Sequence, residues 1–79
     1  MIFGKQISAA RALLRLSQAE LAAKANISIP TLKRMEGSEA EATGLANNVL
    51  AVQSALESAG VEFIPENGGG PGVRLKKDL

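Results

Sequence analysis

The sequence predicts a mainly α fold, four short helices in one small domain followed by a short C-terminal β-hairpin. Three observations predict it. Apolar residues recur at steps of three and four through residues 5–16, 17–36 and 44–59, the spacing of amphipathic helices. Ser17, Ser28 and Thr43 stand where helix N-caps belong, and Asn26, Gly37 and Gly60 stand where helices must stop. After Gly60 the period drops to two, and a loop of turn residues separates two β-like runs. Residues 1–60 are therefore read as a helical domain, and residues 61–79 as a hairpin and tail.

Seventy-nine residues make one domain, near the size at which a single core is marginal, so homodimerisation is an expected source of stability. The chain has no Cys, which removes disulfides and thiolate–metal staples and leaves secretion unsupported. It has no His, the commonest general base and metal ligand. No apolar run is long enough to span a bilayer and no signal peptide is evident, so a cytoplasmic protein is expected, with no membrane partner. No metal and no cofactor are expected. An enzyme is not expected either, because without His or Cys no credible catalytic pair stands on so small a scaffold.

The net charge of +1 hides a division. Residues 1–35 carry Lys5, Arg11, Arg15, Lys24, Lys33 and Arg34 against Glu20 alone, a net +5. Residues 36–66 carry Glu36, Glu39, Glu41, Glu57, Glu62 and Glu66 and no cation, a net −6. The tail holds Arg74, Lys76 and Lys77 against Asp78. Either the basic half is a phosphate-facing surface, or the split is a chance distribution of solvated charges.

The stretch around which the chain is organised is residues 16–37, L-S-Q-A-E-L-A-A-K-A-N-I-S-I-P-T-L-K-R-M-E-G. Ser17 reads as an N-cap and Glu20, at N3, completes a capping box. Leu21, Ala22 and Ala25 fall on one buried face. Asn26 ends that helix, since Asn tolerates the left-handed conformation. Ser28 is the second N-cap, Ile29 is N1, and Pro30 sits in the first turn, where a missing N–H costs nothing. Two short helices about a three-to-four-residue turn form a helix-turn-helix, whose second helix (about 28–36) enters the DNA major groove.

Together with the preceding helix, this segment resembles the phage repressor and Cro-type (xenobiotic-response-element) family of helix-turn-helix transcriptional regulators. The matching residues are S-Q-x-E-L-A-x-K-A, then N-I-S, then T-L-x-R-M-E-G, and the resemblance covers roughly residues 5–59. The family usually has Gly where Asn26 stands. The resemblance implies a compact lambda-repressor-like domain that binds double-stranded DNA. It also implies that Gln18 contacts the DNA backbone and buttresses the reading helix.

The first helix is expected over residues 5–16, after an apolar lead-in whose Ile2 and Phe3 pack on the domain's edge. Its buried stripe is Ile7, Ala10 and Leu14, and Arg11 falls on the same stripe, where a charge needs a partner. Ile29, Leu32, Met35 and Glu36 line one face of the reading helix, so Glu36 points inward and an Arg11–Glu36 ion pair is expected. The family's matching arginine and glutamate form such a bridge. Opposite lie Pro30, Lys33, Arg34 and Gly37, with two cations suited to guanine O6 and N7. Thr31 offers a methyl to thymine; Ile29 either does the same or is capped into the core. Ser28 divides its hydroxyl between the cap and a phosphate. Gln18 opens a helix whose free N–H groups favour an anion. Lys5, Arg15 and Lys24 are weaker candidates, either phosphate contacts or solvated charges.

Gly37 is read as the C′ glycine of the reading helix. Residues 38–43 follow as an acidic connection, where the family often places backbone-contacting polar or basic residues. Glu39 and Glu41 stand there instead and should repel phosphate, leaving Ser38 and Thr43. Thr43 caps the last helix, 44–59, with Leu45, Val49, Val52, Leu56 and Ala59 as its core stripe. Leu50 lies off that stripe, either a subunit contact or a stray surface leucine. Strands are expected over 61–65 and 72–76, joined by E-N-G-G-G-P-G. That glycine cluster lacks the Lys-Ser/Thr ending and following helix of a phosphate loop, so it is read as a turn. The hairpin edge could pair across a dimer axis, burying Phe63 and Leu75.

The expected function is a sequence-specific, dimeric DNA-binding regulator, a repressor reading a palindromic operator. The alternative is an antitoxin-like or adaptor module that binds a protein partner through the acidic segment and the hairpin.

Overall fold

The computed structural model describes residues 2–38 and 46–77. Among these are four helices, α1 (Gly4–Leu14), α2 (Gln18–Ala25), α3 (Ile29–Glu36) and α4 (Ala46–Ser58). Two strands follow, β1 (Val61–Ile64) and β2 (Gly72–Leu75), paired antiparallel. Expectations placed on Glu39, Glu41, Thr43 and Leu45 lie outside the described residues. No described helix is long and apolar enough to cross a membrane.

The turns after α1 and α2 are built alike. Arg15 (φ 57°, ψ 38°) and Asn26 (φ 57°, ψ 46°) both adopt the left-handed conformation. After α1, the Arg15 and Leu16 N–H groups donate to the Ala12 and Arg11 carbonyls. After α2, Asn26 and Ile27 do the same to Ala23 and Ala22. These are Schellman motifs, and the apolar residue each requires at the next position is Leu16 or Ile27, both packed against the core. A serine N-cap comes next in each case. Ser17 Oγ accepts from the Glu20 N–H at 3.0 Å, and Ser28 Oγ accepts from the Thr31 N–H at 3.2 Å. Glu20 closes its box by accepting from the Ser17 N–H at 2.9 Å. That bond, followed by a side-chain hydrogen bond from the Ser17 hydroxyl to the carboxylate, holds the Glu20 carboxyl below its ordinary pKa.

The core is Ile2, Ile7, Ala10, Leu21, Ala22, Ala25, Leu32, Met35, Val49, Val52, Leu56 and Val61. Several expected boundaries move. α1 stops at Leu14 rather than residue 16, because Arg15 takes the left-handed turn. Ile2 is buried in the core rather than placed at its edge. Ile29 stands 40% exposed and is not on the buried face. Gly37 keeps a right-handed conformation (φ −78°), so it is a C-cap and not a left-handed C′ residue. Ala59 lies beyond α4 and is exposed: the helix ends at Ser58, one residue short of the expected end, before the turn at Gly60 (φ +116°).

Two contacts absent from the apolar pattern lock α1 to its neighbours. Gly4 lies against the backbone of the α3 C-terminus. A Cβ there would press on the Met35 carbonyl oxygen and come within 2.8 Å of that of Ser38. Gln6 is 6% exposed. Its Oε1 accepts from the Phe3 N–H at 2.7 Å, and its Nε2 donates to the Gly72 and Ile64 carbonyls at 2.9 and 3.3 Å. One amide thus fastens the start of α1 to the loop end of the hairpin. Lys76 fastens the other end: its Nζ donates to the Glu57 carbonyl at 2.9 Å and its N–H to that of Gly60 at 2.8 Å. The strands pair within the chain, Val61 with Leu75 and Phe63 with Val73, and Leu75 is left 53% exposed rather than covered.

Two substitutions check this account by thermal unfolding. Gln6→Ala removes the amide that joins helix to hairpin, and we expect a loss of about 1–3 kcal/mol. Arg15→Gly relieves a left-handed non-glycine residue, and we expect a gain of about 0.5–1 kcal/mol, visible as a higher Tm.

Candidate nucleic-acid interface

The outer surface of α3 is fixed from behind by one buried carboxylate. Glu36 lies at the last turn of α3 with its side chain 8% exposed. Arg11, on α1, donates Nε to Oε2 at 2.7 Å and Nη2 to Oε1 at 2.9 Å, a two-pronged pairing. The remaining arginine nitrogen, Nη1, donates to the Leu16 carbonyl at 3.1 Å, in the turn between α1 and α2. Gln18, at the first position of α2, donates Nε2 to Glu36 Oε1 at 3.1 Å. The hydrogen bond to Glu36 raises the Arg11 pKa above its already high ordinary value, against the opposing effect of burial. Every prong of the arginine fork therefore has a partner, and α1, α2 and α3 meet at one anion.

Gln18 consequently spends its amide nitrogen on the interior rather than presenting it to solvent. Gln18 itself is half-buried at the start of α2, where free backbone N–H groups and the helix dipole favour an anion. At the start of α3, Ser28 Oγ lies 2.8 Å from Thr31 Oγ1, so the two hydroxyls are paired with each other as well as with the cap. Ser28 is exposed and Thr31 half-buried.

The opposite face of α3 has a different character. Ile29, Pro30, Lys33 and Arg34 are all exposed, while Leu32 and Met35 are fully buried behind them. Among the described residues, neither Lys33 nor Arg34 has an ion-pair partner. Sequence spacing placed these two cations on one face, and the structure brings them together with Ser28 and Thr31 on one short helix. Lys5, Arg15 and Lys24 are exposed on other elements. In the tail, Arg74 pairs with Glu62 across the strands and Lys76 caps α4, so two of its three cations are engaged within the fold. The engagement of Gln18 by Glu36 and of Arg11 by Leu16 was not visible in the spacing of the residues themselves. Both depend on where the α1–α2 turn directs the chain.

The pairing predicts a specific mutational pattern. Glu36→Ala leaves Arg11 without its partner, and the loss should fall at the lower end of about 3–5 kcal/mol because Arg11 is 22% exposed. The double change Arg11→Met with Glu36→Leu, which removes both charges, should recover most of that loss in equilibrium denaturation.

No protein-family model matches the chain, and no curated protein matches it.

Proposed function

We propose that this protein is a sequence-specific DNA-binding transcriptional regulator of the phage repressor and Cro-type helix-turn-helix kind, with α3 entering the major groove. The observation that carries this reading is the pair Lys33 and Arg34. Two exposed cations without partners among the described residues stand on a helix whose back is pinned by Glu36. A groove-reading helix needs both properties: donors for base edges, and a fixed seat so that they are held in register. The capped start of α3, with Ser28 and Thr31, and the exposed Ile29 and Pro30 supply the short polar and apolar groups that meet phosphate and thymine methyl. Gln18 holds register from α2, through its contact with Glu36 and through the helix start it occupies.

In this reading two copies place their α3 helices about 34 Å apart on a palindromic operator, and the protein acts as a dimeric repressor. The basic half of the chain faces DNA, and the acidic segment faces away.

Selection from randomised duplex DNA tests it. The wild-type chain should enrich a palindromic site, with affinity falling steeply as salt rises. Lys33→Ala with Arg34→Ala should fold normally, since both side chains are exposed. It should lose about 1–3 kcal/mol for each base contact removed, and site preference with it. Salt-insensitive binding, or a site preference that the double variant retains, refutes the assignment of α3.

A further inference from the structure

The hairpin carries a second surface with no part in the DNA reading. The hydrogen bond from the Lys76 N–H to the Gly60 carbonyl fixes which residues of β2 face β1. With Val61 opposite Leu75, it makes Glu62–Arg74 and Ile64–Gly72 the hydrogen-bonded pairs. The N–H and C=O groups of Val73 and Leu75 therefore point away from β1, and no described residue takes them up. β1 packs on α4 with its Val61 fully buried, and β2 packs on α1. The outer main-chain edge of β2 is the open one. Leu75 shares the inward face with Val61 yet is 53% exposed, so the strand overhangs the helices. At the loop end of β2 a cleft of about 610 Å³ opens between α1 and the strand, lined by Phe3, Lys5, Ala9, Glu66, Pro71 and Val73 among others.

A second copy is a poor occupant of this edge. In an antiparallel pair across a two-fold axis, two registers set Leu75 against a residue whose main-chain groups also point outward, Val73 or Leu75 of the copy. The first puts Arg74 opposite its own counterpart, and the second puts it opposite Lys76. Like charges directly opposite are destabilising, and cations on an edge strand are a recognised guard against self-pairing. The same pattern favours another partner. β2 shows apolar Val73 and Leu75 on one face and basic Arg74 and Lys76 on the other, and Arg74 stays 65% exposed despite its pairing with Glu62. Lys5 and Lys77 add exposed positive charge, and Glu66, at the loop end, is the one described carboxylate lining the cleft. A strand laid beside β2 is best matched with apolar side chains over Val73 and Leu75 and acidic ones against Arg74 and Lys76.

We propose that the outer edge of β2 is a docking site for an extended segment of another protein, in which acidic and apolar residues alternate, bound as a third strand. The main-chain groups of Val73 and Leu75 supply the hydrogen bonds, and the cleft against α1 receives an apolar side chain. This does not depend on the DNA reading, since none of the residues involved lies on α2 or α3.

A displayed library of random seven-residue segments, selected against the immobilised full chain, tests the proposal. We expect enrichment of alternating apolar and Asp or Glu residues, and the selected peptide should shift the amide resonances of Val73 and Leu75. Leu75→Pro removes an outward N–H without touching the ladder to β1, so it should keep the wild-type Tm and weaken the peptide about tenfold, the loss of roughly one hydrogen bond. Lys5→Glu with Lys77→Glu, at two exposed side chains without fold contacts, should weaken it likewise. The proposal is overturned if no acidic alternating consensus emerges, or if the peptide binds Leu75→Pro and the charge-reversed chain as well as wild type. It is equally overturned if Leu75→Pro changes the oligomeric state, since a second copy then occupies the edge.

Discussion

The fold turns on a single buried carboxylate. Glu36 is the point at which three helices of one apolar core are also joined by polar contacts, because its two oxygens take Arg11 from α1 and Gln18 from α2. A charge in that place is tolerated only because every lone pair in use faces a donor and the arginine's third prong finds the Leu16 carbonyl. Leu32 and Met35 are fully buried and set the inward face of α3, which leaves Lys33 and Arg34 facing out. The ion pair is directional and adds a polar anchor on the same side of the helix.

The two turns on either side of α2 share one construction: a left-handed residue, an apolar residue returned to the core, then a serine cap. Repeating it makes α1–α2 and α2–α3 stiff connections of three residues each. The hairpin is attached both by packing and by polar contacts. Val61 lies in the core, with Phe63 and Val73 packed against it. The Gln6 amide holds its loop end and the Lys76 ammonium its open end, both through backbone carbonyls. The proposed DNA-facing surface and the proposed strand-docking edge thus belong to different elements of one small chain.

Much of this architecture is written in short local patterns. The Ser17–Glu20 capping box, the Asn26 stop and the Ser28 cap are contacts between residues three or four apart, so the order of residues suffices to place them. The same is true of Gly60 and of the change from helical to alternating period in the hairpin. The exposed pair Lys33 and Arg34 and the inward Glu36 follow from helical spacing. The left-handed turn at Arg15 is not legible from residue type, because arginine rarely adopts it, although the Leu16-Ser17 that follows has the same form as Ile27-Ser28. Ala59 continues the apolar stripe of α4 yet lies beyond the helix, because a periodic stripe does not say on which residue a helix ends.

By itself, the sequence determined the helices, their caps, the hairpin and the face on which each charge lies, since all of these rest on interactions between near neighbours. The tertiary structure decided what long-range contact alone can decide. Gln6 is a buried clasp only because residues 64 and 72 arrive beside it. Gly4 must be glycine only because the end of α3 passes over it. Leu75 is exposed although its cross-strand partner Val61 is fully buried, a difference the alternating pattern of the strand does not carry. No periodicity encodes these facts, because each depends on where two distant segments meet rather than on either segment alone.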